Sequence, residues 1–272
     1  GLGRRLSWPD DYFTLYQEVT YQHYIMDKWN QFIFRDGIAN NLFYRINISR
    51  NSIDQPIYPR NGSQVSLSIQ ATPPYSLLDG ENPNYNNMSD QDKYRWIEYH
   101  KWKFTTSWFT KIVGDLVLNT RVGFGYLGSY NSSLGSAPLE RFYLGGSGLT
   151  GFSLDGREII ALRGYDDNTL SPVGGASIIN KYALELRYPL SLNPSATIYG
   201  LGFVEAGNTW SSFGDYNPFN VYRSGGVGVR VFLPMFGLLG LDYAWRIDDV
   251  PDFPNMQKGQ LHFTIGANLG EL

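Results

Sequence analysis

Two short segments of this 272-residue chain place charge beside glycine in a pattern that could build a buried ion pair. The first is Arg163-Gly164-Tyr165, and the second carries Glu205 close to Gly207. A guanidinium that leaves water needs an anion, and its bidentate pairing with a carboxylate is strong and directional. The two glycines allow the backbone to approach closely next to these charges. We therefore predict that Arg163 pairs with Glu205.

No other combination of residues predicts catalysis or metal binding. The chain has no cysteine, which excludes disulfides, thiolate nucleophiles and Cys-ligated metals. Its histidines, His23, His100 and His262, lack the spacing of metal ligands. The segment from Gly123 to Gly128 matches a dinucleotide-binding pattern, but a loop and not a helix follows it, so we interpret its glycines as small residues at a strand end. We expect no enzyme activity, no metal and no cofactor, and a Ser–His enzyme inside a barrel stays open as an alternative that nothing favours.

The composition favours a protein that faces lipid and gives no reason to expect a nucleic-acid partner. Basic and acidic residues nearly balance, at 22 and 25, for a net charge of -3. Charged residues make up only 17% of the chain, compared with about 25% in ordinary soluble domains. Aromatic residues reach 16%, with 20 Tyr and 7 Trp, which suits the aromatic girdles of a membrane barrel.

Apolar and polar residues alternate with a period of two along most of the chain, which predicts strands with one apolar face. Near the end of the chain, for example, Leu261, Phe263 and Ile265 share one face and Gln260 lies on the other. The same pattern predicts 11 strands in all. They are residues 1–8, 12–24, 42–49, 64–72, 94–109, 116–126, 178–188, 197–210, 222–233, 238–247 and 260–269.

Short and long connections alternate between these strands, and the longest connection is the stretch 127–177. The longest apolar run, Phe232 to Leu241, is far below the ~20 residues of a membrane helix. A membrane protein without such helices must close its strands into a barrel, because every backbone group in lipid needs a partner. The alternative is a soluble β-sandwich or lipocalin-like barrel with its apolar face turned inward. Strands of ~10 residues, charge on the polar face and Tyr or Trp near strand ends favour the membrane.

The segments around Arg163 and Glu205 resemble motifs of the BamA family of barrel-assembly proteins of Gram-negative bacteria, in the form found in Bacteroidetes. Leu162-Arg163-Gly164-Tyr165 is similar to the V-R-G-F/Y motif of the family's sixth extracellular loop, with Leu in place of Val. Phe203-Val-Glu205-Ala-Gly207 is similar to a second motif, F/G-x-D-x-G, with Glu in place of Asp. Other similar segments are Gly1–Asp11, Asp54–Gly62, Glu140–Gly146 and Phe263–Gly266, so that the resemblance covers essentially the whole chain.

The resemblance implies an all-β fold, a transmembrane antiparallel β-barrel, of which residues 1–272 supply about 11 C-terminal strands out of 16. The long loop near 127–177 would fold into the lumen, and Gln260–Leu269 would be the last strand. Its Leu261, Phe263, Ile265 and Gly266 would lie at the seam between the first and last strands. The chain does not begin with Met and carries no signal peptide, so we expect POTRA domains and the first strands upstream of it.

The resemblance also implies a function, namely the central subunit of the machinery that folds and inserts β-barrel proteins into the outer membrane. In that mechanism the seam opens laterally and the exposed edge templates a client strand, without covalent chemistry. Expected partners are unfolded outer-membrane proteins, accessory lipoproteins, outer-membrane lipid and lipopolysaccharide. The alternative is a secretion pore of the two-partner or TamA type in the same superfamily, and the number of upstream POTRA domains would discriminate between the two.

Overall fold

The computed structural model describes residues 1–28, 35–78, 85–146 and 158–266. Eleven strands form one antiparallel sheet in which neighbouring strands also follow each other in the chain, apart from one long crossing between β6 and β9. The strands of this sheet are β1 (Leu2–Arg5), β2 (Phe13–Met26), β3 (Gly37–Asn51), β4 (Gly62–Ala71), β5 (His100–Val113), β6 (Leu116–Gly128), β9 (Ile178–Asn193), β10 (Ala196–Trp210), β11 (Tyr222–Leu233), β12 (Gly237–Arg246) and β13 (Gly259–Ile265). Two more strands, β7 (Phe142–Leu144) and β8 (Glu158–Ile160), form a separate parallel pair.

In the described residues, helical structure is confined to single turns in the loops. These are α1 (Tyr75–Leu78), α2 (Asp90–Lys93) and the two 3-10 turns Tyr85–Asn87 and Pro138–Glu140. No helix in the described ranges is long and apolar enough to span a membrane.

The predicted all-β fold and its 11 strands are confirmed, although several strand ends differ from the prediction. β1 covers Leu2–Arg5 instead of 1–8, because the chain turns back toward β2 from Leu6, whose N–H donates to Phe13. β5 begins at His100 instead of 94, because the residues before it cross to β3, where the N–H of Ile97 donates to Asn40. β13 ends at Ile265, and the remainder of the predicted last strand after Gly266 lies outside the described residues.

The two rims of the sheet differ in the length of most of their connections, although 52–61 on one rim and 27–36 on the other are both ten residues long. One rim has turns at 6–12, 52–61, 114–115, 194–195 and 234–236. The other rim has loops at 27–36, 72–99, 129–177, 211–221 and 247–258. Short turns on one rim and long loops on the other are the arrangement of outer-membrane barrels, in which the long loops are extracellular.

The apolar face of the sheet is its exposed face. On β12, Leu241, Tyr243 and Trp245 are between 41% and 49% exposed, whereas Asp242 and Ala244 between them are fully buried. A soluble barrel would bury the apolar set and expose the polar one, whereas lipid reverses this preference. The arrangement therefore favours a membrane barrel wall over the soluble sandwich or lipocalin-like barrel.

The alternation of polar and apolar residues predicts a polar interior, but the structure shows that part of the interior is apolar. On β10, Tyr199, Leu201 and Phe203 point inward and are buried, while Gly200 and Gly202 lie on the outer face. These inward side chains belong to an apolar cluster. Inward side chains of β5, β6 and β12 and one residue of the 52–61 turn complete it. Its members are Tyr58, Phe109, Val117, Tyr199, Leu201, Phe203 and Ala244.

The described parts of the long loop, residues 129–146 and 158–177, lie in the interior near the rim that carries the longer connections. They carry β7 and β8 and contribute half of the residues of a second buried apolar cluster. Loop members of this cluster are Ala137, Leu139, Phe142, Leu144, Ile160, Leu162, Tyr165 and Leu170. Because this loop has its own buried core, it can hold the segment that follows β8 in one position inside the sheet.

Candidate functional site

The site is built around Arg163, which follows β8 and is only 5% exposed. Its guanidinium Nη2 lies 2.7 Å from an oxygen of Glu205 and 2.9 Å from one of Glu185, and Nη1 lies 3.0 Å from Asp242. The guanidinium also stacks on the ring of Phe203, with its central carbon 3.4 Å from the ring centroid. A single loop arginine thus joins carboxylates of β9, β10 and β12, and we call these four charged residues the loop anchor.

The sequence-predicted partners, Arg163 and Glu205, are brought together by two contacts. Besides the 2.7 Å ion pair, the backbone N–H of Arg163 donates to the other oxygen of Glu205 at 3.0 Å. Both oxygens of Glu205 therefore accept from Arg163, one from its backbone and one from its guanidinium. This pairing fixes the backbone and the side chain of the loop at Arg163. The chain carries Glu where the family motif has Asp, and this longer side chain reaches the arginine in good geometry.

Further cations surround the loop anchor, and they divide unequally among its carboxylates. Glu185 also contacts Arg121 and Arg187, each at 2.6 Å, and Asp242 contacts Arg230 at 2.6 Å. The other cations near Glu205 are more distant, with Arg121 at 3.8 Å and Lys181 at 3.9 Å. Glu205 consequently depends on Arg163 more than the other two carboxylates do.

The charge state of the loop anchor follows from this arrangement. Burial by itself lowers the pKa of Arg163, but the adjacent Glu205 and Glu185 carboxylates raise it above its ordinary value. The guanidinium therefore stays charged, and the cost of removing it from water is offset by several short hydrogen bonds.

Gly164 shows why the motif needs glycine at this position. Its φ of +92° is unfavourable for residues with a side chain, and an added Cβ would lie 3.1 Å from the backbone N of Arg246 and 3.2 Å from the Cβ of Ser224. The N–H of Gly164 donates to Nε2 of His262 on β13 at 2.8 Å. Here the loop backbone lies directly against the wall.

Tyr165 completes the attachment of the motif. It is fully buried, and its hydroxyl donates to the carbonyl oxygens of Arg223, at 2.7 Å, and Asp248, at 3.2 Å. Its ring meets that of Tyr222 edge-on, with centroids 6.1 Å apart. Burial raises the pKa of Tyr165 above its ordinary value, so the phenol remains a neutral donor.

Gly207 on β10 allows the loop core to pack against the wall. A Cβ there would lie 2.9 Å from the carbonyl oxygen of Asn180 and 3.4 Å from the side chain of Leu144. The glycine therefore provides the close approach expected of it, against β9 and the loop.

The residues predicted at the seam lie apart from the loop anchor. Leu261, Phe263 and Ile265 are on the outer face of β13 and are between 44% and 67% exposed. Gly266 has a φ of +91° just beyond the strand, and its N–H donates to Leu238 on β12 at 2.6 Å. The opposite, inward face of β13 carries His262, which does contact the loop.

A second ionic contact holds the loop at β5. Lys101, which is 4% exposed, lies 3.2 Å from Glu140 and 2.7 Å from Glu158, and Lys103 lies 2.7 Å from Glu158. Burial alone would raise the pKa of Glu158, but Lys101 and Lys103 lower it to about 2. The long loop is therefore fastened by ion pairs to two separate parts of the sheet.

Sequence reasoning missed several residues of the site. These are Glu185, Asp242, His262 and the supporting arginines Arg121, Arg187 and Arg230. The available signal was their position on the polar face of apolar strands, where a charge needs a partner. Among the described residues, no group of three or more potential ligands could hold a metal ion.

Comparison with known proteins is consistent with this arrangement. A family model described as the Omp85 superfamily domain matches residues 1–268, and no curated protein sequence matches the chain. Among solved structures, the chain is similar to BamA from Haemophilus ducreyi lacking POTRA domains 1-3, with 16% sequence identity and a TM-score of 0.64. The similarity covers 93% of this chain and 51% of that one. The chain therefore has a BamA-like barrel fold and spans about half the length of the structure it matches.

Proposed function

This chain belongs to the Omp85 superfamily, and on that premise we propose that it forms part of the machinery that folds and inserts β-barrel proteins into the outer membrane. The observation that carries the proposal is the loop anchor, in which Arg163 of the long loop joins three strands from inside the lumen. An enzyme would need an accessible reactive group there, whereas this arginine is buried and paired with three carboxylates.

The proposed mechanism uses strand pairing alone. In the described residues, β13 pairs with β12 on one side and with no strand on its other side. A free strand edge presents unpaired N–H and C=O groups to which an incoming strand can add. We propose that lateral opening exposes this edge to a client strand, while the loop anchor keeps the rest of the wall in shape.

The partners follow from this mechanism. Clients would be unfolded outer-membrane β-barrel proteins, whose strands have the same alternating pattern. Accessory lipoproteins of an assembly complex, outer-membrane lipid and lipopolysaccharide would surround the barrel. No step requires a cofactor or covalent chemistry, so we propose that the chain is not an enzyme.

The test is a complementation assay with the full-length protein carrying Arg163→Ala. We expect the variant to insert into the outer membrane but to lower the levels of other outer-membrane proteins. Arg141→Ala is the matched control, because Arg141 lies in the same loop and its guanidinium donates to the carbonyl oxygens of Ser136 and Gly174. Normal levels of outer-membrane proteins with Arg163→Ala would sink the proposal, and selective loss of one secreted protein would favour the secretion pore instead.

A further inference from the structure

We propose that the long loop also holds the last described strand through a latch, with His262 as its positioning residue. The latch consists of two hydrogen bonds, from the N–H of Gly164 to Nε2 of His262 at 2.8 Å and from the side-chain amide of Gln260 to Asp166. Both β13 residues are on the inward face, two positions apart, so one loop segment meets them both. The role of the latch rests on the proposed function, whereas its existence as a hold on β13 does not.

The position of β13 makes these two bonds important. Every inner strand of the sheet has a neighbour on each side, but β13 has only β12 in the described residues. Contacts from the loop are therefore a hold on β13 in addition to its pairing with β12. The ion pairs of the loop anchor go to Glu185, Glu205 and Asp242 on other strands, so they do not hold β13 directly.

The chemistry of the histidine sets the condition under which the latch closes. Nε2 accepts the Gly164 N–H only through its lone pair, so the ring must be neutral, with its proton on Nδ1. His262 is 4% exposed, so its bond to Gly164 is shielded from bulk solvent. A ring protonated on both nitrogens cannot accept, and it would add positive charge beside Arg163. The latch is therefore closed with neutral histidine and released by protonation.

Charged groups on the loop and on two other strands are close enough to act electrostatically on the imidazole. Arg163 and Asp167 approach from the loop, Asp242 from β12 and Glu205 from β10. Asp242 is also the register partner of His262 across the β12–β13 ladder. Because Asp242 is already shared by Arg163 and Arg230, its charge is largely balanced before the histidine titrates.

The experiment is hydrogen–deuterium exchange of the β13 backbone amides in the full-length protein, reconstituted in phospholipid nanodiscs. The variants are His262→Ala, which removes the acceptor, and His262→Gln, which can supply one. Thr264→Ala is the matched control, because Thr264 is the next inward residue of β13 and stands opposite Gly240. Removing the partner of a buried N–H should speed exchange of β13 about fivefold or more with His262→Ala. His262→Gln should restore most of the protection.

A pH series separates positioning from general packing. The protection factor of β13, corrected for the intrinsic exchange rate at each pH, should fall in the wild type and in Thr264→Ala as the pH is lowered from 7 toward 4, because burial and the nearby Arg163 disfavour the protonated ring. With His262→Gln it should stay constant, because glutamine does not titrate. Exchange with His262→Ala no faster than with Thr264→Ala, or a pH effect retained in His262→Gln, would overturn the latch. Normal assembly by Arg163→Ala together with fast exchange in His262→Ala would refute the function and leave the latch standing.

Discussion

Cations are distributed unequally between Glu205 and Glu185, and this predicts how strongly substitutions of each glutamate are coupled energetically to a substitution of Arg163. Glu205 has Arg163 at 2.7 Å and its next cations at 3.8 Å and 3.9 Å, whereas Glu185 keeps Arg121 and Arg187 at 2.6 Å whatever happens at position 163. Replacing Arg163 with methionine keeps the volume roughly constant and removes the charge. It leaves Glu205 as a buried carboxylate whose nearest remaining cations, Arg121 and Lys181, are 3.8 Å and 3.9 Å away, and it leaves Glu185 compensated at 2.6 Å.

The magnitudes follow from the cost of an uncompensated buried charge. Breaking a buried pair by removing one partner costs about 3–5 kcal/mol, so we expect Arg163→Met to lower the free energy of unfolding by that amount. Glu205→Gln retains an acceptor and should cost about 1.5–3 kcal/mol, the worth of a hydrogen bond to a charged group. In the double variant no isolated charge remains, so the two costs should fall short of additivity by about 2–3 kcal/mol. Combined with Glu185→Gln, Arg163→Met should show a coupling below about 1 kcal/mol.

The assay is urea unfolding of the full-length protein in lipid, followed by the fluorescence of the tryptophans on its outer wall. Two double-variant cycles are compared, one with Glu205→Gln and one with Glu185→Gln. Equal coupling in both cycles would refute the argument that Glu205 depends most on Arg163. Absence of coupling in both would mean that Arg163 stabilises the fold mainly by stacking on Phe203.

Three further predictions test other parts of the structure. Gly164→Ala should destabilise the fold by about 1–3 kcal/mol and by more than Gly114→Ala, because both glycines have positive φ but only Gly164 lies against other atoms; urea unfolding compares them. The ion pairs of Glu158, whose pKa is lowered to about 2, should stabilise the loop above pH about 4 and be lost as the pH falls toward 2. The difference in urea midpoint between wild type and Glu158→Gln should therefore shrink over that range. Val229→Arg on the lipid face should destabilise insertion by about 2–4 kcal/mol, measured by folding into vesicles.

The strands of this fold were predictable because a period of two is a local signal. Residues such as Leu241, Tyr243 and Trp245 show their common face within one segment of sequence. The orientation of β10, which turns its bulky apolar side chains inward, was not predictable in the same way. Its Tyr199, Leu201 and Phe203 pack in an apolar cluster whose other members come from other strands and the 52–61 turn. Which face is apolar thus depends on neighbours that are distant in sequence.

The pair of Arg163 and Glu205 was predictable from its motifs, but its other partners required the register of the sheet. Glu205 stands opposite Ala183, and Phe203 stands opposite Glu185, so the two glutamates come to one arginine only after β9 and β10 are aligned. A single strand indicates which side chains face inward, yet their height relative to other strands is set by turn geometry. Register information of this kind is also needed to bring Asp242 and His262 under the same loop segment.

The division of contacts between the loop anchor and the latch has a consequence for lateral opening. Arg163 binds carboxylates on β9, β10 and β12, so β13 can move without separating any of these buried charges. Among the described residues, the latch bonds of Gln260 and His262 are the loop contacts that would have to break along with any pairing at the seam. The bond of His262 is neutral and contributes about 0.5–1.5 kcal/mol, whereas the exposed bond of Gln260 has the charged Asp166 carboxylate as its acceptor. Separating a buried ion pair would cost about 3–5 kcal/mol. Because the neutral latch bond is on the last described strand and the buried ion pairs are on the strands behind it, the loop can keep its place while β13 moves and presents its edge to a client strand.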